Sequence, residues 1–246
     1  MVVTLGVVAA LAVLLVVAVP VLDRVVAARA EAAAARHLTE PFGGPATVQV
    51  ADRPFLTQAL RGVYRNIEVA GELQLEQIGP ATLAAHLTNV HLPLRDLRRD
   101  GAREVVCERV SGRMLVPYAG LAAASSIPGL ALRFDGETLR ASAAVPAPGL
   151  NQLVRVRGEA ELSRADTGTV WLRVRGLSVV GLAVPSIIWN QILPVLNVPI
   201  PLPTLPYGLR IDELRPTATG LVVDGSADAV VFRARDAAPP AETRPI

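Results

Sequence analysis

The sequence predicts an α+β fold, a mostly antiparallel sheet carrying a few short helices behind an N-terminal membrane helix. Three observations predict it: a charge-free apolar run over the first 22 residues, a succession of alternating segments separated by turns, and three brief apolar helical interruptions.

The run "VVTLGVVAALAVLLVVAVPVL", ending at Leu22, is long enough to cross about 30 Å of hydrocarbon as a helix. A cleaved signal peptide would have a shorter apolar core behind positive charge, so 1–22 is expected to be an uncleaved transmembrane signal anchor. Counting Arg24, Arg29 and Arg36 alone would put the chain after the anchor in the cytoplasm. Asp23 and Glu31 interleave with those arginines and a long domain follows, so the expectation is an extracytoplasmic domain on a single-pass anchor. The alanine-rich stretch that follows predicts a helical stalk, and "EPFGGP" a hinge, so that 23–46 reads as stalk and hinge. The β-rich domain is expected over 47–235 and a disordered tail over 236–246.

Within the domain, Val48 to Ala51, Val63 to Leu75 and Ala81 to Val90 alternate or nearly so, and "REVVCERVSGRMLV" continues the pattern. "GLALRF", a turn at Asp135-Gly136, "ETLRASAAV", "NQLVRVRGEAEL" and "TVWLRVRGLSV" follow as meandering hairpins. In "LVRVRGEAEL", Val154, Val156, Gly158, Ala160 and Leu162 share one face and Arg155, Arg157, Glu159 and Glu161 the other, so one side of this sheet faces water.

The helical interruptions are apolar: Pro54 to Arg61, "PYAGLAAASS" from Pro117, and "VPSIIWNQILPVLNVPIPLPTLP" from Val184. Proline suits a first helical turn, and Ser186 suits the cap of a helix running to Leu193. The prolines at 194, 199, 201, 203 and 206 then hold an extended apolar segment. That segment is either core beneath the sheet or the border of a cavity or membrane-facing mouth.

Composition excludes several chemistries. Half the residues are hydrophobic and only 4% aromatic, so the core is aliphatic. All 24 basic side chains are arginine; without lysine there is neither a Walker A loop nor a pyridoxal Schiff base. A net charge of +2 with interspersed acids offers no block of charge for nucleic acid. Cys107 stands alone, a core residue of a strand. His86 and His91, five apart, point to opposite faces of a regular strand, and no nucleophile elbow or zinc helix occurs. No cofactor or metal is expected, and nothing compels an enzyme.

"RPFLTQALRGVYRNIEV", "VHLPLRDL", "SGRMLVPYAGL" and "GLVVDGSADAVVF" together resemble the LmeA family of actinobacterial envelope proteins that bind phospholipid. The resemblance runs from the membrane segment to Phe232 and implies a tubular lipid-binding fold, a curved antiparallel sheet wrapped around short helices and an apolar tunnel. It implies non-catalytic binding or transfer of phospholipid in a periplasm-like envelope space. The lining it implies is Phe55, Leu56 and Leu60, then Tyr118 and Leu121, then Ile187, Ile188, Trp189, Ile192 and Leu193. The rival readings are an interaction module with a fully packed core and no ligand, and a hydrolase whose catalytic groups converge from distant segments.

Overall fold

The computed structural model describes residues 2–75, 78–93, 104–125, 127, 129–146, 153–164, 169–179, 198–201 and 209–233; within these, the side chains of 2–17, 40–42, 145–146, 153–154, 164, 169–170, 172, 174–179, 198–201 and 233 lie outside the described set. Among the described residues three helices and eleven strands follow one another: α1 (Val2–Phe42), β1 (Ala46–Val50), α2 (Phe55–Arg61), β2 (Val63–Leu75), β3 (Gly79–His91), β4 (Glu104–Pro117), α3 (Tyr118–Ala124), β5 (Ala131–Phe134), β6 (Leu139–Pro146), β7 (Leu153–Arg164), β8 (Thr169–Val179), β9 (Val198–Pro201), β10 (Arg210–Pro216) and β11 (Gly220–Arg233). A six-stranded sheet runs β1-β2-β3-β4-β11-β10 and a five-stranded sheet runs β5-β6-β7-β8-β9. The mostly antiparallel α+β architecture agrees with the sequence reading.

The chain divides into two compact units, the first Met1–Gly71, Ala85–Val110 and Asp228–Ile246, the second Glu72–Ala84 and Ser111–Ala227. The long strands β2, β3, β4 and β11 each contribute to both.

In the first unit, α1 carries Asp23, Ala27 and Glu31 at i, i+4 and i+8, which places them on one face. Ala27 is 1% exposed, Asp23 is buried, and Glu31 Oε1 accepts the N–H of Val50 at 2.9 Å. The stretch expected as a stalk is helical and packs on its own unit through its small alanine face. Val50 belongs to β1, the edge strand of its sheet, and Glu31 occupies an N–H that would otherwise be open to another chain. Among the described residues no helix is long and apolar enough to cross a membrane.

The more buried positions of β3, β4 and β11 alternate until one place in each strand where the spacing becomes three: half-buried Leu87 to Val90, Cys107 to Val110, Ala227 to Val230. One extra residue in each strand, as in a β-bulge, accounts for that change of parity, and Asn89 and Ala229 take positive φ of 51° and 55° there. The three strands are neighbours, and side chains link the irregularities: Asn89 Nδ2 donates to Glu108 Oε2 at 2.6 Å, and Arg109 Nε donates to Asp228 Oδ1 at 2.8 Å. The bulge also brings both His86 and His91 to exposed positions, where a regular strand would have opposed them; His86 lies 3.7 Å from Glu68. Cys107 is fully buried, and burial pushes its thiol up to about 11.

The second unit holds one aliphatic core. Met114 and Val116 of β4, Leu121 of α3, Leu132 of β5, Leu139, Ala141 and Ala143 of β6, Val156 of β7, Ile211 of β10 and Leu221 and Val223 of β11 pack in it. On β7, Arg155, Arg157, Glu159 and Glu161 are exposed while Val156 is buried, so the charged ladder is the solvated face. The Asp135-Gly136 turn joins β5 to β6. Asp135 Oδ1 accepts the N–H groups of Thr138 at 2.9 Å and Glu137 at 3.2 Å. The Thr138 bond, the Arg140 guanidinium and the Glu137 bond hold the Asp135 carboxyl down to about 2. β9, where Pro199 and Pro201 lie, is an edge strand, which a chain lacking those N–H groups can occupy.

Candidate functional site

In the first unit the first apolar interruption, Pro54 to Arg61, forms α2. Pro54 is its N-cap residue and offers no side-chain acceptor. The acceptor comes from α1: Asp23 Oδ2 takes the N–H of Phe55 at 3.0 Å and Oδ1 that of Leu56 at 2.7 Å, with Arg53 3.7 Å away. Burial by itself would push the Asp23 carboxyl up, but the two N–H groups and Arg53 outweigh it and hold it below its ordinary value. Buried Gln58 pins the helix from inside, donating to Asp52 O at 2.6 Å and accepting from Arg65 N at 3.0 Å. Phe55 packs on Tyr64 with ring centroids 5.7 Å apart. Gly62 ends the helix at φ 69°, returning its N–H to Ala59 O at 3.2 Å.

The sequence had grouped Phe55, Leu56 and Leu60 on one lining. The structure separates them. Phe55 and Ala59, four apart, are buried; Leu56 and Leu60, four apart on another face, are half-buried and 80% exposed. Leu60 thus points away from the buried face that Phe55 and Ala59 share.

In the second unit α3 begins after Pro117 and buries Tyr118, Gly120 and Leu121. Gly120 lies so close to the Ile78 backbone that a Cβ there would collide with the Ile78 carbonyl oxygen. The Tyr118 hydroxyl donates to Thr217 O at 2.7 Å, fastening α3 to the turn between β10 and β11, and burial pushes the phenol up. Between α3 and β5 opens a concavity of about 460 Å³, lined by Tyr118, Ala119, Ala122, Ala123, Ile127, Gly129, Leu130, Ala131 and Leu132. Tyr118, Ile127, Leu130 and Leu132 are its buried floor; Ala119, Ala123 and Ala131 are exposed at its rim. The volume lies within the roughly 300–1,000 Å³ of small-molecule sites. Among its described lining residues the one side-chain polar group is the Tyr118 hydroxyl, which is bonded to Thr217, and the described side chains are otherwise aliphatic or glycine.

Of the expected lining, Tyr118 borders this concavity and Leu121 lies just behind it, fully buried in the core. Phe55, Leu56 and Leu60 belong to the first unit. Ile187, Ile188, Trp189, Ile192 and Leu193 lie outside the described residues. The sequence reading missed Asp23 and Gln58, whose partners lie outside their own helical turns, and the alanine rim, whose i, i+4 spacing at Ala119 and Ala123 was the available signal.

The concavity is thus an aliphatic surface on a mostly antiparallel α+β chain. The comparison with known families is more specific: residues 21–226 match the LmeA-like phospholipid-binding family, and the chain belongs to it. No curated protein and no solved structure matches the chain.

Proposed function

We propose that the protein binds phospholipid without bond chemistry and transfers it within the cell envelope, resting the acyl chains on the aliphatic concavity between α3 and β5. Residues 1–22 anchor it in the membrane and the folded part lies on the extracytoplasmic side. The observation that carries this reading is the coincidence of membership in a phospholipid-binding family with a concavity whose described lining is aliphatic apart from the Tyr118 hydroxyl, itself bonded to Thr217. Each methylene removed from water there contributes about 0.8 kcal/mol before ordering costs, so affinity grows with chain length and depends little on the headgroup. The reading also counts Ile187, Ile188, Trp189, Ile192 and Leu193, which lie outside the described residues, among the side chains that take part in acyl-chain binding.

The test is native mass spectrometry of the purified full chain in detergent, followed by lipid extraction. Co-purifying phospholipid that is lost in Ala119→Trp/Ala123→Trp, whose added rings project from the exposed rim, supports the reading. A folded chain that carries no phospholipid and takes up none sinks it, and leaves the fully packed interaction module.

A further inference from the structure

The first unit carries an apolar surface that the lipid site does not use. Val19, Val21, Leu22 and Val25 of α1 are exposed, Leu22 at 56%, and Leu60 of α2, at 80%, is the most exposed large hydrophobic residue among those described. Asp23 bonds to the first turn of α2, which holds the two helices together at the level where the apolar run of α1 ends. Leu56 and Leu60 form the outward ridge of α2, and exposed Arg24 and Arg61 sit beside the two apolar stretches. The carboxylate at this junction is turned inward, bonded and buried, so the charge presented outward here is arginine.

Exposed Leu60 and Leu22 beside arginines fit an interface with hydrocarbon on one side and anionic headgroups on the other. Continuity identifies the occupant: the patch begins within the same helix that, further toward the N-terminus, is an uninterrupted apolar run. We propose that α2 and the Val21–Val25 stretch of α1 dock on the surface of an anionic bilayer, Leu60 entering the acyl boundary while Arg24 and Arg61 meet phosphate. Asp23, as the cap that fixes α2 on α1, is the positioning residue of this surface. The inference rests on the reading of 1–22 as a membrane anchor, and the two are separable by experiment.

The full chain is reconstituted in vesicles of phosphatidylcholine with phosphatidylglycerol, with an environment-sensitive fluorophore on Val13→Cys, Leu60→Cys or Glu137→Cys. Cys107 is fully buried and its thiol is held protonated, so labelling is confined to the introduced residue. The expected result is a blue shift and quenching by spin-labelled lipid at positions 13 and 60 and neither at 137. Arg24→Gln/Arg61→Gln is expected to lose the response at 60 in anionic vesicles and keep that at 13. A response at 13 with position 60 behaving like 137 overturns the docking surface and leaves the anchor. A response at 60 alone supports docking and overturns the anchor. Silence at both overturns both.

Discussion

Asp23 accepts the backbone N–H of Leu56 at 2.7 Å, so the residue that ends the apolar run of α1 also caps the helix that opens the β-rich part of the chain. The connection spans 33 positions of sequence. Removing the carboxylate leaves two N–H groups of a partly buried helix end without acceptors, and Asp23→Ala is expected to cost about 1–2 kcal/mol. Because the folded-state pKa is depressed, the contribution is present above the unfolded value, about 3.9, and disappears as pH falls through the folded value. Denaturant unfolding of wild type and variant at neutral pH and near pH 2.5 checks this. The stability gap should narrow at acid pH, and a constant gap would show that the carboxylate charge is not what matters.

Tyr118→Phe keeps the ring on the floor of the concavity and deletes only the bond to Thr217. A stability loss of about 1 kcal/mol is expected, since a buried carbonyl loses its donor. Phospholipid uptake should be unchanged, because the hydroxyl is not offered to the ligand. Uptake by lipid extraction and unfolding by denaturant, run on the same preparation, separate the two effects. Loss of lipid in this variant would mean that the hydroxyl exchanges Thr217 for the ligand.

Gly120→Ala is expected to be the most damaging single-methyl change in α3, although alanine is the better helix former. The new Cβ meets the backbone of Ile78, which is not the far end of a flexible side chain and cannot yield cheaply. Overpacking of this kind costs roughly 1–3 kcal/mol, more than the helix propensity returns. Thermal unfolding beside Ala119→Gly, whose exposed site costs only propensity, is the comparison. Equal losses would mean that α3 shifts freely.

Asp224 bridges two arginines, accepting from Arg113 Nε at 2.7 Å and Arg215 Nη2 at 2.6 Å. The hydrogen bond from Arg215 leads the causes holding its carboxyl below the ordinary range; partial burial opposes, and Arg113 adds to the lowering. Both guanidinium groups are largely in water, so the pairs are screened and Asp224→Ala should cost no more than about 1 kcal/mol. Raising salt to 1 M should shrink that cost. Denaturation midpoints at low and high salt test it, and a salt-independent loss would point to packing instead of charge.

What could be read from sequence was whatever a short window contains. The alternation of Arg155, Val156 and Arg157 is visible over a few residues, and strand β7 has the faces it predicts. Pro54 and Pro117 mark α2 and α3 for the same reason. The four apolar residues of α2 seemed to form a single cluster because they are close in sequence, whereas the helical repeat divides Phe55 and Ala59 from Leu56 and Leu60. Asp23 looked like one more solvated charge in a stalk because its partners lie beyond the hinge. The opposed histidines failed for a different reason: one extra residue at Asn89 shifts the parity of everything after it, and nothing in the letters "LTNVH" announces the insertion.

The linked irregularities in β3, β4 and β11 also bear on how this chain tolerates change in length. Deleting one residue from a regular strand inverts the faces of everything beyond it, but deletion at Asn89, at Glu108 or Arg109, or at Ala229 removes a surplus that the neighbouring strand matches. A lone deletion there leaves one straight strand beside two that are offset, with Glu108 or Asp228 stripped of its partner. Shortening all three together would restore a common phase. Strand lengths in this region are thus expected to change in concert between relatives or not at all, a constraint imposed by geometry on insertions and deletions rather than on the identity of any side chain.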